Sequence, residues 1–134
     1  MKKRIYLSHP YGGKQENREK AAALAKMYRA IWDAESKTDW VIVDPLAYFA
    51  QLEADGVDED TILYCAVNLM KTCDGVLFAP GWKKSRGCRY EHWISRRCDY
   101  MTVKYFQREI PEEVEAAAVH WYGRHHIETR RRAA

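Results

Sequence analysis

No stretch of this chain approaches the ~20 apolar residues of a membrane helix, and no Cys-x-x-Cys pair occurs in it. The first absence leaves no sequence basis for a membrane partner. Its four cysteines, Cys65, Cys73, Cys88 and Cys98, also lack zinc-type spacing with histidine. Three lie in or beside apolar stretches and read as small buried hydrophobes, so no metal and no cofactor is expected. There is little surplus of either charge: 22 Lys and Arg stand against 19 Asp and Glu, a net charge of +3. Much of the excess falls at the end, where Arg130, Arg131 and Arg132 follow Arg124 in a basic tail (about 127–134) that reads as solvated and frayed. Nucleic-acid binding is therefore not indicated by charge. The basic start Lys2-Lys3-Arg4 leads into a short strand rather than a signal-peptide core, and the expectation is a soluble, cytoplasmic protein of a reducing compartment.

What is present is a globular balance, 47% hydrophobic and 31% charged, in 134 residues, enough for one domain spanning 1–134. No internal repeat, low-complexity tract or linker interrupts it. Residues 4–8 form a short strand closed by His9-Pro10-Tyr11-Gly12-Gly13, where Pro and paired Gly mark a sharp turn. Leu24, Met27, Tyr28 and Ile31 recur at helical spacing over 16–34. Residues 40–43 make a second strand, 46–53 a short helix, and 59–71 a helix with Ile62, Leu63, Ala66, Leu69 and Met70 on one side. Residues 75–79 are the third strand and 80–84 a loop. Ser85 is an N-cap for a helix reaching 97. Residues 101–106 are a fourth strand, and Pro111 opens a last helix. Strand and helix alternate with crossovers too long for hairpins, which predicts a parallel sheet with helices on both faces.

Several residues have both a structural and a chemical reading. Gly12-Gly13-Lys14 is not a phosphate loop of the Walker type, since Gln15 follows the lysine, yet the turn feeds a helix N-terminus and could aim N–H groups at an anion. Tyr6 is either core or a phenol reaching the strand ends. Asp44, before Pro45, either makes a turn or meets a ligand hydroxyl. Asp74 reads as a helix-to-strand junction. Glu91 is the strongest single residue: it lies in the second turn of its helix, near the side carrying Gly87 and Cys88, with Trp82, Tyr90 and Trp93 making the region aromatic. Gly87 lets a ligand approach the helix. The alternative is a solvated surface glutamate. His92 points about 100° away, which argues against a Glu-His pair. His120, His125 and His126 read as surface.

Taken together, Ile5-Tyr6-Leu7-Ser8-His9-Pro10-Tyr11-Gly12-Gly13, Asn17, Asp44-Pro45, Cys73-Asp74 and Ser85-x-Gly87-x-x-x-Glu91 resemble the nucleoside 2-deoxyribosyltransferase-like superfamily over roughly residues 4–106, closest to its short bacterial and phage branch. The resemblance implies a flavodoxin-like, doubly wound, three-layer α/β fold of four or five strands. It implies cleavage or transfer at the N-glycosidic bond of a (deoxy)nucleoside 5′-monophosphate or nucleoside. Glu91 would be the nucleophile, or the base that activates water. Tyr6 would hydrogen-bond that carboxylate. Ser85, where transferases acting on free nucleosides carry Asp, would tolerate a phosphate. Ser8, His9, Pro10, Gly12, Gly13, Asp44 and Gly87 complete the expected substrate contacts. The family's helix aspartate is missing, and Asn68 is the residue offered in its place. Asn cannot act as an acid, so the alternative is a non-catalytic nucleotide-binding or sensor module. The resemblance also implies a homo-oligomer with a shared site.

Overall fold

The computed structural model describes residues 2–35, 40–106 and 127–128. β1 (Lys3–Ser8), β2 (Trp40–Val43), β3 (Gly75–Phe78) and β4 (Thr102–Phe106) form an all-parallel sheet, in the order β2-β1-β3-β4. Helices flank it on both sides, in the flavodoxin-like three-layer arrangement. A fifth strand, β5 (Ile127–Glu128), pairs antiparallel to β4 through Tyr105 and Phe106. It falls where a frayed tail was expected: two residues gain a partner on the exposed edge of β4, too short a pairing to leave a periodic signal. The expected helix after Pro111, the three late histidines and the arginine triplet lie outside the described residues.

The layers follow from period-two alternation along the strands. Ile5 and Leu7 of β1, with Ile42 and Leu77, pack against Ala21, Leu24, Ala25, Met27 and Tyr28 of α1 (Gln15–Glu35). Tyr6, with Val43, Val76, Phe78 and Val103, faces the other way onto Ala66 and Met70 of α4 (Glu59–Lys71). On that same side lies α5 (Arg86–Ser95), whose Ile94 packs against the cluster. β1 has a strand on each flank, so its backbone is fixed from both sides.

Between β2 and α4 the single expected helix is two short ones, α2 (Pro45–Tyr48) and α3 (Ala50–Ala54). Phe49 ends the first, at φ −102° and ψ 8°, and opens the second with no side-chain cap. Asp58 caps α4, accepting from the Thr61 N–H at 3.0 Å. Asp74 serves the junction as expected, but its partner is distant in sequence: it accepts from the Arg4 N–H at 2.9 Å and pins the start of β1 to that of β3. At Gly75 a Cβ would sit 2.8 Å from the Thr102 carbonyl oxygen, so β3 and β4 approach as closely as they do only because that side chain is missing. Gly75→Ala should therefore lower the melting temperature measurably, a test any thermal denaturation can make.

Candidate active site

The parallel strands end at a cleft, the usual position for a ligand in an open α/β sheet. Its floor is Glu91. That glutamate is 5% exposed although it carries a carboxylate, and it is held from β1 by two donors. The Tyr6 hydroxyl donates to one carboxylate oxygen and the Ser8 hydroxyl to the other, the latter at 2.8 Å. Both donors follow from local geometry: residues two apart on a strand share a face, and Tyr6 and Ser8 occupy the face turned toward α5.

Burial pushes the Glu91 carboxyl up to about 7 from an ordinary 4.5, and the Tyr6 and Ser8 hydrogen bonds oppose that rise. The Tyr6 phenol is held well above its usual 10, first by burial and then by the adjacent Glu91 charge, so it remains a donor. Cys88, one turn before Glu91 on α5, also borders the cleft, its thiol pushed up to about 12 by burial and by Glu91. It is an inert wall rather than a nucleophile.

The side walls are apolar, with Pro45, Leu46 and Phe49 on one side and Ile62 and Leu63 of α4 on the other. Two helix N-termini open onto the cleft. Gly12 lies in the turn before α1, where Gly12 and Gly13 both have positive φ (58° and 74°), the backbone state that favours glycine. That turn is tied by the Asn17 side-chain amide, which donates to the Tyr11 carbonyl at 2.8 Å. Ser85 caps α5, accepting from the Cys88 N–H at 3.3 Å, and also borders the cleft. Ion pairs lace the rim: Arg18 of α1 to Glu53 of α3, and Arg86 of α5 to Asp60 of α4, each at 2.9 Å.

A family model described as a domain of unknown function (DUF4406) matches residues 3–105. The chain belongs to this family. No curated protein and no solved structure matches it. The DUF4406 match takes in every element that builds the cleft and stops within β4, so the cleft is wholly a feature of the DUF4406 domain.

Within that domain the residues singled out in the sequence divide into three groups. Tyr6, His9, Gly12, Ser85, Gly87 and Glu91 come together at the cleft. Ser8 and Asp44 are buried and committed elsewhere: Ser8 is 0% exposed behind Glu91, and Asp44 caps α2 by accepting from the Leu46 N–H at 3.1 Å. Burial raises the Asp44 carboxyl, against the pull of that cap and of His9. Pro10 and Gly13 belong to the turn without lining the cleft, and Asn68 is solvent-exposed on α4. His92 turns away from Glu91, as its helix position requires, and meets the Tyr105 hydroxyl at 2.8 Å.

Sequence reasoning missed two carboxylates at the cleft, Glu53 and Glu59. Glu59 had a signal: it stands three and four residues before Ile62 and Leu63, hence on the same face of α4. The aromatic setting inferred for Glu91 is also different in kind. Trp82 and Trp93 line a separate groove, and the apolar surroundings of the cleft come from α2 and α4.

Proposed function

We propose that the protein cleaves or transfers the N-glycosidic bond of a nucleoside 5′-monophosphate. The observation that carries this reading is a buried carboxylate, Glu91, fixed by two hydroxyl donors at the base of an apolar-walled cleft. A carboxylate so held meets a developing oxocarbenium centre without first reorganising. Its ionised form either attacks C1′ or takes a proton from water that does so; the C1′–N bond breaks and its electron pair leaves with the base. The base needs a proton, which water entering the open rim can supply, and Glu59 is the cleft carboxylate of α4 placed to hold that water. Asn68, exposed on the same helix, has no part. The Leu46, Phe49, Ile62 and Leu63 side chains offer an apolar bed for a planar base.

The turn before α1 and the N-terminus of α5 give the ligand's 5′ end N–H donors and the Ser85 hydroxyl. Charge-assisted hydrogen bonds of this kind are worth ~1.5–3 kcal/mol each, so two would favour the monophosphate over its nucleoside by on the order of a hundredfold or more. Chromatography of deoxynucleoside monophosphates incubated with the protein should show free base. Calorimetric titration of matched monophosphate and nucleoside pairs should show the preference, and Ser85→Asp should reverse it. Binding without base release from any monophosphate or nucleoside would leave a nucleotide-binding module, and no binding at all would end the reading.

The leaving-group side of the cleft has its own test. Glu59→Gln should slow base release by about tenfold or less, because it removes a group that positions water and not the source of the proton. Asn68→Asp should leave the rate unchanged. A large gain from Asn68→Asp would return the acid's position to 68.

A further inference from the structure

Two polar residues that line the cleft have no part in the chemistry proposed above, Tyr11 and Glu53. One guanidinium holds both. Arg18 Nη2 donates to the Tyr11 hydroxyl at 2.6 Å and to Glu53 Oε2 at 2.9 Å, and Nη1 donates to the Gln15 side chain at 3.0 Å. Arg18 stands behind the pair without lining the cleft, its side chain 27% exposed and its guanidinium 5.4 Å from the centre of the Tyr11 ring. The Tyr11 backbone is pinned as well: its carbonyl accepts from the Asn17 amide at 2.8 Å and from the Lys14 N–H at 3.1 Å. Glu53 follows Phe49 by one helical turn, its N–H bonded to the Phe49 carbonyl at 3.3 Å. The carboxylate therefore stands beside the apolar bed of the cleft.

The direction of these bonds decides what the pair offers a ligand. A guanidinium only donates, so the Tyr11 oxygen accepts from Arg18 and the phenolic hydrogen is left to donate. Glu53 accepts from the same nitrogen through Oε2, and its Oε1 remains an acceptor. A hydroxyl donor and a carboxylate acceptor thus stand side by side, both set by one nitrogen. A phosphate does not suit this wall, because the carboxylate repels it. A cation gains little there, because Arg18 already neutralises Glu53. The match is a neutral edge that carries an acceptor next to an N–H donor, as the Watson–Crick edge of each common base does. We propose that Tyr11 and Glu53 read the hydrogen-bonding edge of the base, with Arg18 as the positioning residue that holds them in register. The inference rests on the N-glycosidic reading and adds to it the group by which the base is recognised. Such a pair selects chiefly by refusal: a base lacking the edge would take water from Tyr11 and Glu53 without replacing it.

The test is calorimetric titration of the full chain with the four common deoxynucleoside 5′-monophosphates. The tightest is then compared with the same nucleotide whose base has lost its edge N–H donors: purine for adenine or guanine, pyrimidin-2-one for cytosine, or its 5-methyl form for thymine. Stripping the edge should weaken binding by about ten- to a hundredfold, the range for one lost hydrogen bond to a charged group. In Glu53→Ala the natural and stripped nucleotides should bind within about threefold of each other. Arg18→Ala should close the gap in the same way while leaving the affinity of the stripped nucleotide as it was, and Tyr11→Phe should close part of it. A merely structural role for Arg18 would weaken both ligands alike and would overturn its assignment. Circular dichroism and melting temperature verify that each variant is folded. Equal binding of natural and stripped nucleotides by the wild type, or a gap that survives in Glu53→Ala, overturns the proposal while the nucleotide reading stands. So does a loss on removing the sugar 3′-hydroxyl that Glu53→Ala abolishes, which would give the pair to the sugar. Binding of no nucleotide at all would end both readings.

Discussion

Glu91→Gln is expected to abolish base release while making the folded protein more stable above neutral pH. The loss of activity follows from the role: glutamine is isosteric but neither attacks C1′ nor takes a proton from water, and removing such a group costs on the order of a thousandfold or more. The gain in stability follows from burial. In the folded chain the carboxyl titrates at about 7, and in the unfolded chain near 4.5. Between those values the folded state holds a proton that the unfolded state has released, so stability falls as pH rises through that window. Above about 7 the fold carries a buried charge at full cost. At about 1.4 kcal/mol per pH unit the cost is on the order of 3 kcal/mol, or roughly 10 °C in melting temperature for a domain of this size. Glutamine carries no such charge, and it can accept from Tyr6 as the carboxylate does. Wild type and Glu91→Gln should therefore melt together near pH 4.5 and separate by about pH 8, the variant higher. A calorimetric difference that stays constant across that range would show that Glu91 does not titrate as a buried group.

Removing both donors, with Tyr6→Phe and Ser8→Ala together, should move the pH–rate profile and not merely lower it. On the proposed mechanism Glu91 acts in its ionised form, so activity should be lost as pH falls through about 7. The two hydroxyls favour that ionised form. Hydrogen bonds to a charge contribute ~1.5–3 kcal/mol each, and without them the acid limb should rise by about two to four pH units. At neutral pH this is on the order of a hundred- to several-thousandfold in rate, and much of it should return as pH rises through about 9 to 11. Recovery at alkaline pH is the outcome that matters. A loss independent of pH would mean that the hydroxyls shape the cleft without governing the charge of Glu91. Each single variant should move the limb by about half as much.

The sheet is legible in the sequence because β1, β2 and β3 are short apolar runs closed by Pro, Gly or Asp, and α4 because Ile62, Leu63, Ala66, Leu69 and Met70 share one side of it. Tyr6 and Glu91 could be paired through a family likeness. The resemblance gives Ser8 to the substrate, although period-two alternation puts it on the same face as Tyr6, and in the structure its hydroxyl donates to the Glu91 carboxylate. The break at Phe49 and the cleft positions of Glu53 and Glu59 depend on how α2, α3 and α4 pack, which no local pattern encodes. The tryptophans misled for a related reason. Closeness in sequence to Glu91 says little when a helix turns 100° per residue and two neighbours face different cavities.

The two ends of the cleft are built from materials of unequal stiffness. Glu91 and its donors are buried on a helix and on a strand flanked on both sides, whereas the rim is tied by side chains that water and salt reach. Ions in solution loosen the second and not the first. On the proposed function, admission and chemistry are separable traits in this fold. A surface exchange at Arg18, Glu53, Asp60 or Arg86 should then change which molecules are let in, at small cost to the domain, and an exchange at Tyr6, Ser8 or Glu91 should decide whether they react.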